Sequence, residues 1–133
     1  MGRIRILLAV LTTVVLQAGG FDPVKDVPMS VSGGALTVTI PQGVHLKVRF
    51  FKVSLTSGGH LDVDALPAPT DKDDAGDPIW RGVLQVGLKV RDLEDPARLV
   101  ITYQPCTEGP DGMCYLPVKR ALTLPAGTFK PRL

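Results

Sequence analysis

Residues 99–124 read LVITYQPCTEGPDGMCYLPVKRALTL. Leu99, Ile101 and Tyr103 alternate with Val100 and Thr102, and Val118, Leu122 and Leu124 mark a second apolar run. Period two is the pattern of a half-buried strand. Between the runs lies Gly109-Pro110-Asp111-Gly112, which fits a type I turn. Proline presets φ for the second position, Asp is tolerated at the third and Gly is favoured at the fourth. A turn between two strands makes a hairpin. The hairpin sets Cys106 and Cys114 on opposite sides of one narrow ladder, within disulfide reach provided the register aligns.

The same alternation extends upstream. Leu36, Val38 and Ile40 alternate with Thr37 and Thr39, and Pro41-Gln42-Gly43 breaks the run. Val44, Leu46, Val48 and Phe50 alternate with His45, Lys47 and Arg49, after which Phe51, Val53 and Leu55 become the apolar set. A phase change of one residue predicts a β-bulge. A short strand is expected near Leu61 to Val63. Trp80, Leu84, Val86, Leu88 and Val90 mark one face of the longest expected strand, with Arg81, Gln85 and Lys89 on the other. Six or seven short strands divided by Gly, Pro and Asp predict an all-β antiparallel sandwich or barrel. Residues 65–78 hold Pro67, Pro69, Pro78 and four aspartates, the composition of an exposed loop.

The chain has 133 residues, enough for one domain. An apolar content of 44% excludes a disordered chain. Residues 1–20 read as a secretory signal peptide. Arg3 and Arg5 precede the apolar run from Ile6 to Leu16, and Ala18, Gly19 and Gly20 offer a cleavage site. The run is short for a membrane span, although an uncleaved anchor is the alternative. A single domain over residues 21–133 is then expected outside the cytoplasm, periplasmic or otherwise secreted. Losing residues 1–20 removes two basic residues and no acid, leaving 13 against 13. That balance gives no basic stripe, so nucleic acid is not an expected partner.

Two cysteines outside the cytoplasm admit two readings. A lone pair in a small secreted domain is ordinarily a structural staple. A bridge beside a turn tip also lies near solvent, where an attacking thiolate reaches it. Residue chemistry alone leaves both open.

A resemblance separates them. VITYQPC at 100–106 followed by CYLP at 114–117 resembles the signature of the N-terminal periplasmic domain of DsbD, the thiol:disulfide interchange protein: Tyr-Gln-Gly-Cys, a short polar loop, then Cys-Tyr-Pro-Pro. Weaker similarities lie at Gln42-Gly43-Val44-His45-Leu46, at Ile79-Trp80-Arg81 and at Asp73-Asp74, the last near an acidic pair before a capping loop. The resemblance implies an immunoglobulin-like β-sandwich. It implies that Cys106 and Cys114 alternate between dithiol and disulfide, Cys114 attacking the partner and Cys106 resolving. Tyr103, Gln104, Pro105, Tyr115, Pro117, Asp73 and Asp74 would bind partners or cap the site. Reducing equivalents would come from a membrane thiol carrier or a thioredoxin-like reductant. They would leave to periplasmic thioredoxin-fold proteins, such as a disulfide isomerase or a cytochrome c maturation factor. A monomer without cofactor or metal is expected.

The chain also departs from the family pattern. Seven residues, 107–113, separate the cysteines, a longer run than the family's. Pro105 replaces Gly, Leu116 replaces Pro, and Ala75-Gly76 stands where the family has a capping aromatic. The family's transmembrane and thioredoxin modules have no counterpart here, so both partners are expected as separate proteins.

Other chemistry is weaker. Residues 71–77 suggest a calcium loop, but Ala75 and Gly82 occupy the positions where an EF-hand needs oxygen ligands. Cys106, Met113, Cys114 and His45 could bind a soft metal, at a spacing that matches no zinc pattern. Met113 can equally be apolar filler beneath the hairpin. His45 alternates with apolar residues and is expected to face solvent, His60 follows Gly58-Gly59 and is expected in a turn, and Trp80 is expected in the core. No Ser/His/Asp grouping or phosphate loop supports hydrolase or kinase chemistry.

Overall fold

Alternation becomes eleven antiparallel strands in the computed structural model, which describes residues 20–56, 59–92 and 97–124. The expected signal segment falls outside these residues, except for Gly20. In chain order the strands are β1 (Met29–Ser32), β2 (Ala35–Thr39), β3 (Val44–Lys47), β4 (Lys52–Leu55), β5 (His60–Val63), β6 (Asp71–Lys72), β7 (Pro78–Trp80), β8 (Val83–Arg91), β9 (Ala97–Tyr103), β10 (Pro105–Thr107) and β11 (Val118–Leu124). They form three sheets, ordered β1-β2-β8-β5, β10-β3-β7-β6 and β11-β9-β4.

The apolar phase of each long strand faces one core. Leu36 and Val38 on β2 join Leu84, Val86 and Leu88 on β8; opposite them are Ala97, Leu99, Ile101 and Tyr103 on β9. Val44, Leu46 and Trp80, from the sheet that carries β10, complete the same cluster. Trp80 is 1% exposed, as its phase predicts, with its ring edge-on to Phe51 at 5.3 Å. The result is an antiparallel β-sandwich.

Three expectations need correction. The phase change near Phe50 is not a bulge. A single 3-10 turn, Val48–Phe50, separates β3 from β4, closed by the Phe51 N–H donating to the Val48 carbonyl at 3.1 Å. A turn of three residues rotates the chain as an inserted residue would, and it also moves the chain into another sheet. The strand expected through Trp80 to Val90 is two strands. It breaks at Arg81-Gly82, where Gly82 takes φ +80°, a conformation open to glycine, and the halves join different sheets. His60 opens β5 opposite Arg91 instead of lying in a turn.

Candidate functional site

The cysteine hairpin is built from hydrogen bonds on both sides of the pair. Thr107 N–H donates to the Met113 carbonyl at 2.8 Å, and Tyr115 N–H donates to the Pro105 carbonyl at 3.0 Å. Cys106 and Cys114 face each other between these two bonds, at the closely spaced type of antiparallel position. Their Cα atoms are 4.0 Å apart and the sulfurs are bonded. The register therefore aligns as the bridge requires. The Gly112 N–H donates to the Gly109 carbonyl at 2.9 Å, closing the turn over the expected four residues.

Gly112 is fixed by space. A Cβ built there would lie 2.4 Å from the Thr107 carbonyl oxygen, a backbone atom that cannot swing aside. Gly112→Ala is expected to distort the hairpin and to cost about 1–3 kcal/mol, as overpacking does. Chemical denaturation checks this; a cost under about 0.5 kcal/mol would show the turn yields freely.

The two cysteines differ in access. Cys106 is 1% exposed, whereas Cys114 lies in the exposed arm of the hairpin. Met113 is 55% exposed and Leu116 is 85% exposed, so Met113 is not filler beneath the hairpin; both flank Cys114 at the surface. Pro117 is exposed as well.

Conserving the inner arm's position takes several residues. Pro105 is fully buried. Gln104 Nε2 donates to the Tyr115 carbonyl at 2.9 Å, and the Gln104 carbonyl accepts from Lys47 N–H at 3.1 Å. Gln104 thus clamps the outer arm and β3 together. The Tyr103 ring is fully buried, so its side chain offers a partner no surface; its hydroxyl donates to the Pro23 carbonyl at 2.6 Å. Burial raises its pKa above the ordinary phenol value. Tyr115 is half-buried and stacks obliquely against Phe21 at 5.6 Å.

His45 is only 8% exposed, contrary to the solvent-facing position expected from alternation. The physical reason is that β3 is covered on both faces. Val44 and Leu46 face the core, while His45 and Lys47 point to a second face that is itself roofed. Register aligns Cys106 with His45 and Leu46 with Trp80, which sets Arg81 beside His45 on that face. His45 Nδ1 lies 3.0 Å from Glu108 Oε1, and Arg81 Nε donates to the same oxygen at 2.6 Å. Arg81 Nη1 also reaches Asp71 at 2.5 Å. Lys47 donates to Asp73 and, at 3.1 Å, to Asp77. The 73–77 turn is thereby drawn over the second face.

Three aspartates of the supposed calcium loop are thus turned toward side-chain cations: Asp71 to Arg81, Asp73 to Lys47, and Asp77 to Lys47 and Arg49. Asp74 is exposed and Asp73 half-buried. Glu108 and Lys47 were not site candidates in the sequence, and Arg81 was noted only for its resemblance. The register reveals that Glu108 and Arg81 meet His45, the cross-strand partner of Cys106.

These pairs set an acid response. The hydrogen bond from Lys47 holds the Asp73 carboxyl below its ordinary value, and the bond to Asp73 raises Lys47. A depressed carboxyl stabilises the fold above its unfolded value and loses that contribution as pH falls through the lower folded value. A raised amine contributes fully below its unfolded value and loses it as pH rises through the folded one. Stability from this pair should hold between about pH 5 and 9.5 and fall below about pH 4. Asp73→Asn should flatten the acid limb of a melting-temperature profile; an unchanged limb would remove the pair from the account.

The sequence matches no protein-family model and no curated relative. Among solved structures, the reduced N-terminal domain of DsbD from Neisseria meningitidis superposes with a TM-score of 0.56 at 21% identity, covering 78% of this chain and 88% of that one. The complex of the DsbD and PilB N-terminal domains from the same organism matches with a TM-score of 0.52 at 19% identity, covering 85% and 94%. The chain has the fold of a DsbD N-terminal domain. The sandwich is accordingly immunoglobulin-like. Within this DsbD-type frame, the bonded cysteine hairpin sits where the Tyr-Gln-Pro-Cys and Cys-Tyr-Leu-Pro segments place it.

Proposed function

We propose that this protein is an extracytoplasmic thiol–disulfide relay domain that passes reducing equivalents through Cys106 and Cys114 to thioredoxin-fold partners. The observation that carries this reading is the unequal pair: one sulfur residue exposed at a hairpin arm, its mate buried behind it. In the reduced protein the Cys114 thiolate attacks a partner disulfide and forms a mixed disulfide. The Cys106 thiolate then attacks the Cys114 sulfur, and the partner leaves as a thiolate. Two electrons pass to the partner and the Cys106–Cys114 bond re-forms. A membrane thiol carrier or a thioredoxin-like reductant would return the bridge to the dithiol. The DsbD-type fold and the similarity to a domain solved in complex with PilB support a protein partner. The signal-like residues 1–20 support a periplasmic or other extracytoplasmic location.

A secreted binding module with a structural bridge is the competing reading. Cys106 is buried yet stands outside the shared core cluster, which favours a relay whose fold survives an open bridge. The bridge closes a short loop, so reducing it should cost only about 2–3 kcal/mol. The reduced domain should stay folded, and its reduction potential should lie between about −270 and −180 mV. Redox titration with circular dichroism checks both. Unfolding on reduction, or a potential well below about −300 mV, would mark the bridge as structural.

A further inference from the structure

Resting on the relay reading, a specific problem arises at its second step. The Cys106 thiol must lose a proton to attack Cys114, yet it is 1% exposed and burial disfavours a bare thiolate. Bulk water is a poor acceptor for a proton at such a site. An internal base must stand within reach.

The register supplies one. His45 is the direct cross-strand partner of Cys106, and side chains paired this way share a face with Cβ atoms about 4.5–5.5 Å apart. His45 is buried as well, at 8% exposed. Its Nδ1 is engaged by Glu108 at 3.0 Å. Burial pushes the Glu108 carboxyl up, but hydrogen bonds from Arg81 and His45 outweigh this and hold it below the ordinary glutamate value. An ionised carboxylate only accepts, so Nδ1 carries a hydrogen toward Glu108, and the neutral tautomer that this contact selects leaves Nε2 as its acceptor.

We propose that His45 is the base that takes the Cys106 proton in the resolving step, with Glu108 as the positioning residue that fixes its tautomer. The step balances. The thiol proton passes to Nε2, the Cys106 sulfur bonds the Cys114 sulfur, and the Cys114–partner bond breaks with its electron pair on the partner's sulfur. The imidazolium then returns its proton to that thiolate or to water. The groups facing His45 are Cys106 on β10 and Glu108 just past its end, Arg81 just past the end of β7 with Asp71 behind it, and Lys47 on its own strand with Asp73 and Asp77 behind it. Each cation on this list is paired with a carboxylate. A proton arriving on His45 is met by the nearest anion, Glu108.

The test uses the reduced protein and oxidised glutathione as the probe disulfide, with acid-quenched mass spectrometry resolving the two steps. In the native protein the Cys114–glutathione adduct should form and then disappear as the internal disulfide closes. His45→Gln should leave adduct formation within two-fold of native. It should slow closure on the order of ten-fold or more, as loss of a general base does. The native pH profile of closure should show a limb that is absent in His45→Gln. Glu108→Ala, at an exposed position, should slow closure several-fold with adduct formation unchanged. It decides the matter should His45→Gln fail to fold. Closure at the native rate with the native pH profile in a folded variant overturns the proposal and leaves the relay standing. Equal slowing of both steps overturns it too, since a base for Cys106 acts on one step alone. Native protein that never forms the adduct would instead overturn the relay reading, and this proposal with it.

Discussion

Cys106→Ala is expected to yield a protein that captures thioredoxin-fold disulfide partners as a stable covalent adduct, and Cys114→Ala one that captures almost none. The difference follows from access. Cys114 lies in the exposed arm beside Met113 and Leu116, while Cys106 is 1% exposed between that arm and β3. A thiolate must approach the target disulfide along the S–S axis, so a buried sulfur cannot begin the exchange. Once Cys106 is gone, nothing resolves the mixed disulfide and the adduct persists. Alkylation of the two single-cysteine proteins should separate their rates by about ten-fold or more, with Cys114 the faster. Non-reducing electrophoresis after mixing with an oxidised thioredoxin-fold protein reads the same contrast. Equal alkylation rates, or adducts from Cys114→Ala alone, would reverse the assignment of attacking and resolving sulfur.

Much of this was legible in residue order. Alternation at 36–40, 84–88 and 99–103 located the core strands, because a half-buried sheet imposes period two on its sequence. Gly109-Pro110-Asp111-Gly112 located the turn that brings the cysteines together, because each residue suits the dihedral angles of its position. The failures share one cause. Alternation tells which face a residue lies on, but not whether that face meets water. His45 and Lys47 read as outward, and they are; the outward face of β3 happens to lie under the 73–77 turn and beside the hairpin. The cross-strand alignment of Cys106, His45 and Arg81 joins residues from three distant segments, and no local pattern encodes it. The break at Gly82 was hidden for a related reason. Trp80 and Leu84 keep the same phase across it, so the strand looks continuous while the backbone changes sheets.

Trp80→Ala is expected to cost about 3–5 kcal/mol, the range for deleting a large buried aromatic. Trp80 heads the fully buried side chains, packs edge-on against Phe51 at 5.3 Å, and donates from Nε1 to the Pro67 carbonyl at 3.2 Å. Removing it opens a cavity in the core cluster that its neighbours cannot fully close. It also releases a tether on the exposed segment that follows Asp64. Trp80→Phe keeps most of the volume and should cost under about 1.5 kcal/mol, because the freed carbonyl can return to water. Urea denaturation of the oxidised proteins measures both. The comparison that matters is with reduction of the bridge, set above at about 2–3 kcal/mol. A truncation at Trp80 should therefore destabilise the fold more than opening the disulfide does. That ordering is what a relay requires, since its bridge opens in every cycle while its core must not. Finding the reverse, a bridge worth more than the largest core side chain, would make the disulfide a staple and the fold its dependant.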